Sequence, residues 1–136
     1  MQKVVIDTNV IVSSLIQRSY PYLIIFELFI ENKFQLCVSD EVMKEYYNVL
    51  ARPKFKKVKD FFVRAESLLA DIEANSKKFF PTTKVDLISD KDDNAFLELA
   101  DECAAHFIIT GNITDFTFPS YKQTRIVTPK EFWESR

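Results

Sequence analysis

The chain has 136 residues, of which 47% are hydrophobic and 14% aromatic. This composition supplies enough apolar material for one core and argues against disorder, so we expect residues 1–136 to form a single domain. The net charge of −2 at pH 7 excludes a generally basic nucleic-acid-binding protein, leaving only a local basic patch for that purpose.

The predicted elements alternate between short apolar strands and amphipathic helices. In chain order they are a strand (4–6), helices (9–17 and 21–31), a strand (34–38), a helix (40–51) that Ser39 can cap, a basic break (52–59), a helix (60–77), an irregular or partly extended segment (79–89), a helix (92–104), strands (107–110 and 125–128) and a short helix (130–135) after Pro129. Strands separated by helices predict an α/β fold with a parallel sheet covered on both faces.

Scarce residue types narrow the chemistry that the chain can perform. Gly111 is the only glycine, which excludes the glycine-rich phosphate loops and the dinucleotide fingerprint. His106, the only histidine, precedes an apolar strand, and we expect it to be structural. Cys37 and Cys103 lie in apolar surroundings and are predicted to be small core residues, not a zinc site or a disulfide framework. If the chain is an enzyme, carboxylates carry its chemistry.

No segment predicts export or membrane insertion. The N-terminus lacks the basic, apolar and small-residue regions of a signal peptide. The longest apolar segment (20–30) is too short to span a bilayer and is interrupted by Glu27. We therefore expect a cytoplasmic protein.

Four acidic residues lie at predicted strand ends or on helices next to them: Asp7, Glu45, Asp93 and Asp115. Each also has an ordinary structural interpretation. Asp7 could begin a turn, Glu45 could meet solvent at the margin of its apolar stripe, Asp93 could stabilise a helix start, and Asp115 could lie in a surface turn. Taken together they predict a convergent acidic site, because ligands bind beyond the carboxyl ends of parallel strands. Converging carboxylates repel one another, and bound Mg²⁺ or Mn²⁺ would relieve that repulsion.

Four segments, in their order and spacing, resemble the PIN domain family of small metal-dependent nucleases. "VVIDTNVIVSSLI" resembles the family's first strand with its Asp-Thr-Asn, and "VSDEVMKEYYNVL" resembles the segment of its second acid. "SDKDDNAFLELADECAAHFIITGN" resembles the segment of its third acid, and "RIVTPKEFW" resembles its final strand and helix. Within the family the chain is most similar to VapC-like toxin components of bacterial type II toxin–antitoxin systems.

The resemblance implies a three-layer α/β/α sandwich with a central parallel sheet of four to five strands. It implies an endoribonuclease that depends on Mg²⁺ or Mn²⁺, cuts RNA phosphodiester bonds and, as a toxin, has an antitoxin protein as its partner. The implied acidic quartet is Asp7, Glu45, Asp93 and Asp115, and the implied supporting polar groups are Asn9, Ser39 and Thr110. The fourth metal ligand stays open between Asp115 and Asn112, and Asp90 or Asp92 could share the role of the third acid.

The basic break (52–59) is a candidate RNA-binding segment. Its five cations could hold phosphates, and Phe55 among them could stack on a base; the cations are Arg52, Lys54, Lys56, Lys57 and Lys59. The alternative is a solvated helix connection, because runs of charge usually face water.

Two further alternatives concern partners and activity. The apolar helix predicted over 21–31 could join a homodimer or hold an antitoxin helix, or it could be sandwiched within the fold. The chain could also be an inactive PIN-fold binding module. A phosphatase with an aspartyl nucleophile is disfavoured, because that class generally has a second Asp where this chain has Asn9.

Overall fold

In the part of the chain that the structure describes, six strands form one sheet at the centre of the fold. The computed structural model describes residues 1–88, 91–111, 116 and 118–136, apart from the side chains of Lys91 and Asp92. In chain order the strands are β1 (Lys3–Ile6), β2 (Gln35–Val38), β3 (Lys77–Lys78), β4 (Phe107–Ile109), β5 (Ser120–Tyr121) and β6 (Thr124–Val127).

The α-helices alternate with these strands, as the sequence predicts. They are α1 (Thr8–Ile16), α2 (Tyr20–Leu23), α3 (Asp40–Leu50), α4 (Phe61–Asn75), α5 (Lys91–Cys103) and α6 (Pro129–Ser135). A π-helical segment (Ile24–Phe29) continues α2, and a 3₁₀ segment (Pro53–Lys57) joins α3 to α4. None of the helices in the described part of the chain combines the length and apolarity that crossing a membrane requires.

The strand order is β3-β2-β1-β4-β6-β5. The neighbours from β3 to β6 pair in parallel, and β5 pairs antiparallel with β6. The α/β class is confirmed, although the sheet is mixed and has two strands of two residues at its edges beyond the four predicted. From β1 the chain moves to β2 on one side and later to β4 on the other, so the strand order reverses between β1 and β4.

The central strands form because they are short apolar runs buried on both faces. Val4, Val5 and Ile6 of β1 are fully buried, and Ile6 is in register with Ile109 of β4. Backbone pairing continues one residue past each strand. The Asp7 N–H donates to the Ile109 carbonyl at 2.9 Å, and the Thr110 N–H donates to the Val127 carbonyl at 2.9 Å. The polar side chains after β1 and β4 therefore begin at the same place in the sheet.

The apolar helix predicted over 21–31 contains the π-helical segment. The Ile30 N–H donates to the Ile25 carbonyl, five residues earlier, at 3.1 Å. Ile24, Ile25 and Phe29 are buried, whereas Glu27 and Ile30 are exposed. Much of this segment is therefore covered within the fold, which is the sandwiched alternative, and an involvement of its exposed residues in a dimer or an antitoxin contact stays a prediction.

A segment without regular structure, residues 79–88, is fixed along α5 by side chains of that helix. Asn94 accepts hydrogen bonds from the backbone N–H groups of Leu87 and Ile88, at 3.2 and 2.9 Å. Glu98 accepts from the Val85 N–H at 2.9 Å, and Glu102 accepts from the Thr82 N–H and hydroxyl. Asn94, Glu98 and Glu102 are spaced by four residues and so lie on one face of α5.

Tyr46 joins α3 to the end of β1. Its buried hydroxyl donates a hydrogen bond to the Ile6 carbonyl, one residue before Asp7. We expect Tyr46→Phe to lower the free energy of unfolding by about 1–2 kcal/mol, because a buried carbonyl loses its partner. Chemical denaturation with urea measures this change.

Tyr47→Phe is the matched control on the same helix. The Tyr47 hydroxyl donates to Glu73 at 2.9 Å on the exposed surface, where water replaces the lost bond. A loss of stability as large for Tyr47→Phe as for Tyr46→Phe would contradict the anchoring role of Tyr46.

Candidate active site

Asp7 is buried at the point where β1 ends and α1 begins. Its side chain is 2% exposed and does not cap the helix, although the residue occupies the N-cap position. The Thr110 hydroxyl donates a hydrogen bond to Oδ2 of Asp7 at 2.7 Å. Because a buried carboxylate is costly unless it is paired, hydrogen-bonded or bound to a metal, this position is poorly explained as an ordinary turn. The pair lies at the reversal of strand order, where open α/β sheets bind their ligands.

Thr8 adds a polar group that the sequence analysis did not single out. Its side chain is 4% exposed, and its hydroxyl is the only buried side-chain polar atom without a hydrogen-bond partner within the described residues. Buried polar groups in folded proteins are almost always satisfied by protein, water or an ion. Thr8 directly follows Asp7 in the chain, and a bound water or ligand could use its hydroxyl.

Glu45 and the start of α5 line a common groove. Glu45 is half-buried on α3, and the groove, of about 390 Å³, is also lined by Glu41, Asn94, Ala95 and Glu98. Asp93, which precedes two of these residues, is 8% exposed. Helix α5 packs against both α3 and β1, so Asp93 and Glu45 belong to elements in contact with each other.

Electrostatics at Tyr46 links Asp7 to Glu45. Burial is the largest cause that raises the pKa of the Tyr46 phenol, and the negative charges of Asp7 and Glu45 also raise it. Both carboxylates therefore act on the same buried side chain, and since Coulomb interactions weaken with distance, both belong to the surroundings of Tyr46.

The three predicted supporting residues have different surroundings. Thr110 contacts Asp7 directly, as described above. The Ser39 hydroxyl instead accepts a hydrogen bond from the Val42 N–H at 3.1 Å and caps α3, which confirms the predicted N-cap. Asn9 is exposed, and no hydrogen bond joins it to an acidic residue within the described part of the chain. Supporting roles for Ser39 and Asn9 toward the acids stay predictions.

Two proposed ligands cannot be placed. Asn112 and Asp115 lie outside the described residues, as does the whole of Asp90 and the side chain of Asp92. Among the residues that the structure does describe, no three His, Cys, Asp or Glu side chains are grouped closely enough to hold a metal ion. The donor chemistry itself fits Mg²⁺ or Mn²⁺, since carboxylate and hydroxyl oxygens of Asp7 and Thr8 are the hard ligands these ions prefer.

The basic segment is exposed but Phe55 is not available for base stacking. Arg52, Lys54, Lys56, Lys57 and Lys59 are all exposed. Phe55 is 7% exposed and stacks on Phe61, with ring centroids 4.4 Å apart. The prediction that Phe55 stacks on RNA is therefore wrong, because the 3₁₀ turn directs this ring into the core beside α4.

The residues expected to be structural have structural contacts. Nδ1 of His106 accepts a hydrogen bond from the Lys3 N–H at 3.0 Å, which extends the pairing of β1 with β4. Cys37 and Cys103 are free and buried, as predicted for small core residues.

Comparisons with known proteins agree with this architecture. Residues 3–114 match the family described as the PIN domain. The chain is also 31% identical to the uncharacterized protein MJ1680 of Methanocaldococcus jannaschii over 140 residues, an alignment that covers 97% of this chain and 90% of the relative. PIN domains are generally nucleases, and their RNA-directed members commonly use divalent metals. With the fold, the matched span and the buried Asp7 in agreement, the chain belongs to the PIN domain family.

Proposed function

We propose that this chain is an endoribonuclease that depends on Mg²⁺ or Mn²⁺ and hydrolyses RNA phosphodiester bonds. The single observation that supports it most is the buried carboxylate of Asp7, which Thr110 orients at the reversal of strand order. A charge kept in the protein interior at this edge is a cost to folding that a cation-binding role would explain.

In this mechanism Asp7 would be the central ligand of a bound Mg²⁺ or Mn²⁺ ion, and Glu45 and Asp93 would contribute further oxygen ligands directly or through water. Asp115, with Asn112 as the alternative oxygen donor, is proposed to hold a second ion or the attacking water. A bound Mg²⁺ or Mn²⁺ would lower the pKa of a coordinated water and offset negative charge on the phosphate. Water adds to phosphorus and gives up a proton, the bond from phosphorus to the leaving oxygen breaks, and that oxygen takes up a proton. The family resemblance implies that the products carry a 5′-phosphate and a 3′-hydroxyl.

The residues of the chain contribute orientation and exclusion of bulk water. The hydrogen bond from Thr110 fixes one carboxylate oxygen of Asp7, so the carboxylate does not need to reorganise during the reaction. Burial of Asp7 and the nearby Tyr46 lowers the local dielectric constant, which strengthens the attraction of the site for a cation.

A second candidate function is a PIN-fold binding module without catalysis. It is favoured by the finding that the described residues contain no group of three metal-ligating side chains. Hydrolysis of RNA by the purified protein separates the two candidates, because a binding module retains RNA without cutting it.

We also propose a cellular role as the toxin of a type II toxin–antitoxin system, in the cytoplasm, with an antitoxin protein as partner and a homodimer as its assembly. This part rests on the similarity of the sequence segments to VapC-like proteins. Expression of the chain alone would then arrest growth, and expression of Asp7→Asn would not.

Asp7→Asn is expected to lower the rate of RNA cleavage at least about a hundredfold, because it removes the central charge while preserving the shape of the side chain. The measurement is cleavage of total cellular RNA and of a defined oligonucleotide in the presence of Mn²⁺. Asp101→Asn is the control, since Asp101 pairs with Lys122 on the surface, 2.9 Å away. Equal activity of Asp7→Asn and wild type would contradict the proposed mechanism.

Thr110→Val is expected to weaken metal-supported activity roughly 10–100-fold, the usual effect of removing a hydrogen bond to a metal ligand. Thr110→Ser keeps a hydroxyl that can donate to Asp7 and should retain most of the activity. The concentration of Mn²⁺ at half-maximal cleavage measures the effect. If Thr110→Val and Thr110→Ser need the same concentration of Mn²⁺ for half-maximal cleavage, the hydroxyl has no role and Thr110 acts only through packing.

Lys56→Ala and Lys57→Ala are expected to weaken RNA binding and to flatten its dependence on salt, with a change in log–log slope of about 0.7 for each lost phosphate contact. Lys33→Ala, an exposed lysine that precedes β2, is the control. Binding measured by fluorescence anisotropy over a range of NaCl concentrations tests the prediction. An unchanged salt dependence of RNA binding in both variants would mean that the basic segment contacts solvent and not RNA.

A further inference from the structure

A cavity of about 390 Å³ opens beside the Asp7–Thr110 pair and is separate from the groove that contains Glu45. Its described lining comes from α1, the start of α2, the residue after Thr110 and the start of α6. The lining residues are Asn9, Val10, Ser13, Pro21, Gly111 and Pro129. Gly111 directly follows Thr110, and Asn9 lies two residues after Asp7, so the cavity lining is next in sequence to both members of the pair.

The described part of this lining is polar but uncharged. Asn9 and Ser13 are one helical turn apart on α1, so their amide and hydroxyl lie on the same face of the helix. No hydrogen bond ties either side chain to another group in the residues that the structure describes, and both keep their donors and acceptors for a ligand. Val10, Pro21 and Pro129 supply apolar surface.

These properties select the class of ligand. A phosphate would require cations or several backbone N–H groups, and the described lining contains no charged side chain. A nucleobase with its ribose has flat apolar faces and a polar edge, which matches apolar walls with one amide and one hydroxyl. The volume is within the range of small-ligand sites. An amide is also a side chain that reads base edges through paired donors and acceptors.

We infer that this cavity binds the base and ribose of an unpaired nucleotide next to the scissile phosphate, and that Asn9 and Ser13 contribute to sequence preference there. The inference rests on the proposed ribonuclease function and extends it to a single-stranded substrate. A base inside a duplex cannot enter such a cavity unless it leaves the stack. In this inference Asn9 contacts the substrate, which is an alternative to the supporting role toward the acids that the family resemblance implies.

The test couples variants of the protein to variants of the RNA. The probe is a fluorescein-labelled single-stranded RNA of about ten nucleotides, with one abasic position moved along a series of otherwise identical oligonucleotides. Affinity is measured by anisotropy in EDTA, where cleavage is not supported, and the cut position is mapped separately with Mn²⁺. The proteins compared are wild type, Asn9→Ala, Ser13→Leu and Gln17→Leu. Ser13→Leu fills the cavity, whereas Gln17→Leu places a leucine four residues later, at an exposed position directly after α1.

Wild type and Gln17→Leu are expected to lose roughly tenfold in affinity when the abasic position lies next to the cut, the scale of about one hydrogen bond plus a stacking contact. Asn9→Ala and Ser13→Leu should bind the complete RNA correspondingly less tightly. They should be insensitive to the abasic position, because the protein variant has already removed the contact that the missing base would remove. Equal sensitivity of all four proteins to the abasic position would overturn the inference.

The two proposals can fail separately in this design. Cleavage by wild type without coupling between the variants and the abasic position rejects the nucleotide site and leaves the ribonuclease in place. Coupling without cleavage supports the nucleotide site and rejects the ribonuclease. Circular dichroism spectra and melting temperatures of the four proteins establish that each variant is folded.

Discussion

The arrangement of the candidate site depends on one buried interaction, the hydrogen bond from the Thr110 hydroxyl to Oδ2 of Asp7. It joins residues 103 positions apart and exists because β1 and β4 are parallel neighbours in register, so that the residues that follow them emerge together. In a parallel sheet the carboxyl ends of the strands lie at the same edge. Helices cover both faces of the sheet, so a ligand binds at this edge.

Around that bond, neighbouring helices bring further polar groups to the same edge. Tyr46 ties α3 to the carbonyl before Asp7, which fixes the helix that carries Glu45. Asn94 and Glu98 hold residues 85–88 along α5 and so set the groove next to Asp93. The Thr8 hydroxyl, buried without a partner in the described residues, is locally unfavourable for folding. Such unfavourable groups are expected at functional sites, where binding a ligand offsets the cost.

Much of the fold could be predicted from the sequence because burial leaves a local signature. The strands β1, β2, β4 and β6 are apolar runs between turn signals, and Ser39 marks the start of α3 through a cap that depends only on nearby residues. Strands β3 and β5 have two residues each, too few to show a period, and Lys77 and Lys78 of β3 are exposed. Strand β3 exists through parallel pairing with β2, which is distant in sequence, whereas β5 pairs with β6 across a short turn.

The candidate site likewise contains residues that the sequence predicted and residues that it did not. Thr110 was predictable as a polar group near Asp7 because its segment resembles a family, whereas the four acids as a metal-binding set stay a prediction. Phe55 was misassigned because a ring within a basic run can stack on RNA or on the core, and only the tertiary contact with Phe61 decides between them. Thr8 and the cavity beside Asn9 carried no local signal, since the burial of a hydroxyl and the shape of a cavity arise from several elements at once.

Calorimetric titration of Mn²⁺ into wild type and Asp7→Asn, both verified as folded, decides whether Asp7 anchors a metal site. We expect saturable binding to wild type, weakening as pH falls because carboxylate ligands become protonated, and loss of this binding in Asp7→Asn. Binding of equal strength to both proteins, or none to wild type at millimolar Mn²⁺, would contradict a metal site centred on Asp7.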